Sequence, residues 1–147
     1  MEAKVKAVCL SKEKGTTKRE IDKGELIANY GLKGDAHAGK WHRQLSLLDN
    51  SSIDKMRGQG FELKFGDFAE NITTEGIENL FKLPVGQKIR INDEILLEIT
   101  QIGKKCHHDC EIMQTIGDCV MPREGVFARV IKGGIIKPGD KIELLNN

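Results

Sequence analysis

The sequence predicts a mainly β chain, a β-barrel decorated with a few short helices. Three observations predict it. Apolar and charged side chains alternate over many short stretches. Sixteen glycines and three prolines punctuate those stretches at turn-like intervals. Only one or two short segments carry helix signals, too few to build helical layers. The 147 residues fit a single domain spanning 1–147, without a long linker, internal repeat or low-complexity segment.

The elements follow in order. From Ala3 to Cys9, Ala3, Val5, Ala7 and Cys9 share one face and Lys4 and Lys6 the other, a half-buried strand. Glu20 to Tyr30 is mixed, either another strand or an irregular loop. Gly31 to Lys40, with three glycines, reads as a sharply bent loop. Leu45 to Leu48 is a short apolar strand. Asn50, Ser51 and Ser52 then offer N-cap oxygens to a helix carrying Ile53 and Met56 and stopping near Gly58 or Gly60. Phe65 to Phe68 is a turn, Asn71 to Thr74 is extended, and Ile77 to Phe81 makes one helical turn before Pro84. Lys88 to Ile91 and Ile95 to Ile102 form a hairpin around Asn92-Asp93-Glu94. Val126 to Ile131 is a strand, Gly133-Gly134 and Lys137 to Asp140 are turns, and Lys141 to Leu145 closes the chain with a last strand.

Composition narrows the function. Twenty-three Lys and Arg balance 22 Asp and Glu, so a strongly basic nucleic-acid binder is not expected. No apolar run approaches the ~20 residues of a membrane-spanning helix. The charged, alternating start Met1 to Lys6 lacks a signal-peptide core. These features predict a cytoplasmic protein without a nucleic-acid or membrane partner, whose four cysteines are reduced thiols.

Four segments concentrate chemistry. The first is Gly103-Lys104-Lys105-Cys106-His107-His108-Asp109-Cys110, placed directly after a strong strand. Nearby lysines and imidazoles favour the thiolate, which is both a nucleophile and a soft metal ligand. A structural zinc site is the competing reading: Cys106 and Cys110 would need two further ligands from His107, His108, Asp109 or the distant His37 and His42. Cys9, on an apolar strand face, and Cys119 read as small buried hydrophobes.

The second segment, Gly34-Asp35-Ala36-His37-Ala38-Gly39, brings backbone N–H groups and a histidine into one loop, and Lys40, Trp41, His42 and Arg43 follow as charged or aromatic surface. The third, Gly66 to Gly76, is dense in hydrogen-bonding side chains, including Asn71, Thr73 and Thr74. It either reads the edge of a heterocycle or forms a chain of capped turns. In the fourth, Arg123 to Val130, Arg129 sits on a strand. It faces a phosphate or carboxylate ligand, or pairs structurally with a carboxylate such as Glu124 or Asp140.

Taken in order, these segments resemble the MOSC domain, named for the carboxy-terminal domain of molybdenum-cofactor sulfurases. The resemblance rests on Gly34 to Gly39, Gly66 to Thr73, Leu83-Pro84-Val85-Gly86, Ile102 to Cys106, Gly125 to Val130 and Gly139-Asp140, and it runs from about Lys4 to Leu145. It implies a barrel of the MOSC and pyruvate kinase type, in a short stand-alone member that binds the molybdenum cofactor (molybdopterin). Cys106, by its Gly-x-x-Cys lead-in, would ligate molybdenum or carry sulfur, with Cys110 close behind as the second catalytic candidate. Asp35, His37, Glu70, Asn71, Thr73 and Arg129 would line the cofactor pocket. The chain has Phe68-Ala69 where a glycine often precedes the family's Glu. A family-level association with pyridoxal phosphate accompanies the resemblance.

Two functions are implied. One is a small molybdenum oxidoreductase or sulfur-transfer component, reducing N-oxygenated substrates with an external redox or sulfur-donor protein as partner. The other is a non-catalytic cofactor carrier. The pterin offers hydrogen-bonding edges, molybdenum prefers sulfur, and the phosphate wants a cation or backbone N–H groups.

Overall fold

The computed structural model describes residues 2–14, 16–103 and 120–145. Eleven strands dominate them: β1 Lys4–Leu10, β2 Arg19–Ile21, β3 Gly24–Ile27, β4 Gly31–Leu32, β5 Leu45–Asp49, β6 Ile72–Glu75, β7 Lys88–Ile91, β8 Ile95–Ile102, β9 Val126–Lys132, β10 Gly134–Ile136 and β11 Ile142–Leu145. Helix α1 is Asn50–Arg57, a 3-10 turn covers Leu80–Lys82, and helix α2 is Met121–Glu124. The mainly β prediction holds.

Eight strands form one sheet in the order β11-β7-β8-β9-β5-β6-β1-β2, and β10-β3-β4 form a second. Every pair is antiparallel except β5 with β6. The large sheet curls back on itself. Val5 N–H donates to the Asp140 carbonyl at 2.8 Å, Gly139 N–H to Val5 at 2.7 Å and Ile142 N–H to Ala3 at 2.9 Å. These bonds seat the chain entering β11 beside the start of β1, in the manner of a barrel seam. The strand order itself stays open, with β11 and β2 at its ends and an isolated bridge between Lys4 and Lys141 at the seam.

The curl encloses a core of aliphatic side chains from both halves of the chain, among them Val5, Leu45, Leu47, Ile72, Ile89, Ile95, Leu97, Val126 and Val130. A second cluster, Leu48, Ile53, Met56, Phe68, Met121 and Phe127, packs beneath α1. The period-two patterns specify the strands because alternate side chains enter the core, as the burial of β7 (Ile89 and Ile91 in, Arg90 out) shows.

Two local readings are corrected. The N-cap of α1 is Asp49 rather than Asn50 to Ser52. Its Oδ2 accepts the Ser51 N–H at 3.1 Å and the Ser51 hydroxyl at 2.6 Å, while Oδ1 takes Thr74 and Ile77. Gly133-Gly134 is not a simple turn, since Gly134 already belongs to β10, paired with Leu26 of β3. The mixed stretch from Glu20 to Tyr30 resolves into the end of β2, then β3 and a turn.

Candidate functional site

The Gly34 to Gly39 loop is built on a buried ion pair. Lys18 Nζ lies 2.8 Å from Asp35 Oδ1, and neither side chain is exposed to solvent. The same carboxylate accepts the Ser11 N–H at 3.1 Å through Oδ1 and the His37 N–H at 3.0 Å through Oδ2. Burial alone would raise the Asp35 carboxyl. The neighbouring His37 and the Lys18 ammonium outweigh it and hold the group well below the usual carboxylate range. Burial also lowers the Lys18 ammonium, against the opposing pull of Asp35. Asp35 is therefore the foundation of the loop, with its acceptor sites taken by protein donors.

His37 stands at the surface of that foundation, about a quarter exposed. Lys18 Nζ approaches its Nδ1 at 3.1 Å. An ammonium has only donors to give, so in this contact Nδ1 is the acceptor and Nε2 is left free of the Lys18–Asp35 pair. The Trp41 indole N–H donates to the His37 carbonyl at 2.7 Å, and the two rings lie nearly parallel with centroids 6.5 Å apart.

From Trp41 the chain reaches the end of β8. The Thr100 hydroxyl donates to the His42 carbonyl. Gln101 Nε2 donates to the Gly103 carbonyl at 2.7 Å, which turns its Oε1 toward His42 Nε2, 2.8 Å away. That nitrogen is therefore a donor. Between these residues, Arg43 lies with its guanidinium carbon 4.7 Å from the Trp41 ring centroid and 5.6 Å from that of Phe127. Its Nε is buried without a hydrogen-bond partner. The loop is thus continuous from the Lys18–Asp35 pair to the last residues of β8.

The Gly66 to Gly76 segment behaves differently. Glu70, Asn71 and Thr73 are fully buried. Asn71 Oδ1 accepts both the Ser46 N–H at 3.0 Å and its hydroxyl at 3.2 Å, and Asn71 Nδ2 donates to the Cys9 carbonyl at 3.1 Å. Glu70 Oε1 accepts the Phe68 N–H at 3.1 Å, and Oε2 accepts the Thr73 hydroxyl at 3.4 Å. Burial pushes the Glu70 carboxyl up to about 7, against the backbone N–H groups and the Thr73 hydroxyl that favour its charge. Ala69, at the position where a glycine was expected, keeps a left-handed φ of 65°. Gly66, with φ near 92°, lies so close to the Lys18 carbonyl that a Cβ would sit 2.2 Å from it. That contact clamps this segment to the base of the Asp35 loop.

Arg129 is on β9, half-exposed, with Nε 2.6 Å from Glu98 Oε1. Its carboxylate is neither Glu124 nor Asp140. Glu124 takes Ser52 and Lys55, each at 2.6 Å, and Asp140 takes Asn92 at 2.8 Å and Lys137. Cys9 is free and buried, as its strand face predicts, and burial raises its thiol. Cys106, His107, His108, Asp109, Cys110 and Cys119 lie outside the described residues. Among the described residues no cluster of His, Cys, Asp and Glu could hold a metal ion. A cavity of about 480 Å³ opens beside Lys18, lined by Ser11, Lys12, Arg19, Lys64, Phe65 and Asp67 among others.

Lys18 and Gln101 carry no motif, and sequence reasoning missed both. A lysine in Thr16-Thr17-Lys18-Arg19 looks like solvated surface, and only the fold brings it beneath Asp35.

A family model described as the MOSC domain matches residues 34–143. No curated protein matches the chain. Solved structures are similar in fold. The YuaD protein of Bacillus subtilis superposes with a TM-score of 0.82 at 18% identity, covering 98% of this chain and 96% of that one. YiiM of Geobacillus stearothermophilus gives 0.74 at 15% identity, over 98% of this chain and 75% of that one. YiiM of Escherichia coli gives 0.68 at 20% identity, over 100% and 71%. Among the described residues, no helix is long and apolar enough to cross a membrane.

Proposed function

Because the chain belongs to the MOSC domain family, we propose that it binds the molybdenum cofactor at the junction of the Gly34 to Arg43 loop with the end of β8. One observation carries the reading. His42 and Gln101 clamp that loop to Gly103, and Cys106 follows only three residues later in the sequence. Three residues span at most about 10 Å, so that chain length is short enough for a Cys106 thiol to serve the same site as the loop.

The residues present suit such a group. His37 stands partly exposed at the loop surface with Nδ1 held beside Lys18, which leaves its Nε2 for a ligand. A thiolate at Cys106 suits a soft metal, with Cys110 as a second sulfur. Asp35, Glu70, Asn71 and Thr73 serve by holding the loop and the neighbouring strand in shape, since their polar atoms are engaged inside the protein. Arg129 reaches a ligand only on releasing Glu98. A bound molybdenum centre would supply the oxygen-atom or sulfur-transfer chemistry, and the protein would orient it.

The test is metal and pterin analysis of the protein made in a cofactor-competent host. Equimolar molybdenum and pterin are expected, lost in Cys106→Ser and retained in Cys110→Ser. Equimolar zinc without molybdenum, or neither metal nor pterin, would overturn the reading. Turnover of an N-hydroxylated substrate with a reduced dye marks an oxidoreductase, and loaded protein without turnover marks a carrier.

A further inference from the structure

We propose that Arg43 is an oxyanion-binding residue and that its site accepts a phosphate monoester. The observation is a buried charged donor left over: Arg43 Nε has no hydrogen-bond partner. Native interiors rarely leave such a group unpaired, because its desolvation is then uncompensated. The rings of Trp41 and Phe127 do not satisfy it. They interact with the delocalised charge of the guanidinium, at 4.7 and 5.6 Å from its carbon. The N–H groups point outward in the guanidinium plane and need an acceptor lying in that plane.

The surroundings specify the acceptor's charge. Lys14 Nζ lies 4.8 Å from the centroid of the same Trp41 ring. Among the described residues neither Lys14 nor Arg43 has a carboxylate within ion-pair distance, while the nearest acid of the loop, Asp35, is committed to Lys18. Two cations over one ring make this face positively charged, which favours an anion there. A planar fork of donors matches the oxygens of a phosphate in a bidentate way that a single point charge does not. The nearly parallel rings of Trp41 and His37 present flat aromatic faces beside Arg43, on which an organic substituent of that phosphate would lie. The contact rests on these distances alone; only the identification of the ester with the phosphate arm of a pterin rests on the cofactor reading above.

Trp41 is the only tryptophan in the sequence, so its fluorescence reports directly on Arg43. The full chain, freed of metal and pterin, is titrated with inorganic phosphate and with phenyl phosphate, against sodium chloride at matched ionic strength. Saturable changes with phosphate and tighter binding of phenyl phosphate are expected, with no saturable change from chloride. Arg43→Gln should weaken the ester by about tenfold or more. Arg43→Lys, which keeps the charge without the fork, should also weaken it at unchanged melting temperature. Arg90→Gln, on the outer face of β7, removes the same charge and should leave the titration as it is. If Arg43→Gln does not fold, Arg43→Lys decides. Equal affinity in wild type and Arg43→Lys, or the same response to chloride, overturns the proposal, and phosphate binding without ester binding overturns the ester. Molybdenum analysis reads out the cofactor proposal separately, so either can fail alone.

Discussion

Two polar segments of this protein look alike in composition and do opposite things. In the stretch from Gly66 to Thr73, Glu70, Asn71 and Thr73 are sealed in the interior and hydrogen-bond the protein's own backbone and side chains. In the stretch from Gly34 to Arg43, only Asp35 is sealed; it holds up His37, which stays about a quarter exposed, and Arg43, whose Nε is buried without a partner. The difference teaches that density of hydrogen-bonding side chains does not mark a ligand site. What marks it is polar capacity that the protein leaves unused.

The comparison can be broken most forcefully at its one shared feature, the buried pair beneath the open loop. Asp35→Ala leaves the Lys18 ammonium buried and unpaired, and should cost about 4 kcal/mol in urea denaturation. Replacing both partners by apolar residues (Lys18→Met with Asp35→Leu) should recover most of that stability while altering the loop. A loss below about 1 kcal/mol in the single variant would show that the loop does not stand on this pair.

Next comes the sealed segment. Asn71→Ala removes acceptors from Ser46 and a donor to Cys9, and should cost about 3 kcal/mol. Its phenyl phosphate affinity should be unchanged wherever the protein remains folded. Loss of affinity at full stability would place Asn71 in the ligand site and erase the distinction between the two segments.

Glu70 sharpens it by pH. The unfolded carboxyl titrates near 4.5 and the folded one at about 7. Between those values the folded chain holds a proton that the unfolded chain has released. Stability therefore falls as pH rises through this window, and above it the full cost, about 3 kcal/mol, is present. Glu70→Gln abolishes that contribution, so denaturation at about pH 5 and about pH 8 should show a much smaller difference than in wild type. An unchanged pH profile would mean that Glu70 is ionised in the folded protein throughout.

The smallest effect is expected at Arg129. Its bond to Glu98 lies half in solvent, so Arg129→Gln should change stability by less than about 1 kcal/mol. A tenfold loss of phosphate affinity in that variant would move the anion contact from Arg43 to the outer face of β9.

Much of this was legible in the amino-acid order. The alternation of Val5, Ala7 and Cys9, and of Ile89 and Ile91, locates strands because side chains two residues apart share a face. The glycine-framed motifs locate the loop that carries Asp35 and His37, and their order gives the family. The strip from Glu70 to Thr73 was also found, with its two opposed readings, a ligand edge or an internal network, left open.

Tertiary structure decided between them. Whether a polar side chain faces a ligand or closes an internal network depends on which distant backbone reaches it, and here the partners are remote: Lys18 for Asp35, Ser46 and Cys9 for Asn71, Glu98 for Arg129. Local sequence fixes which face a residue takes, because strand periodicity is a property of neighbouring dihedrals. The tertiary arrangement of the sheet fixes who meets whom, and only then does a buried guanidinium nitrogen, Arg43 Nε, remain without a partner among the described residues.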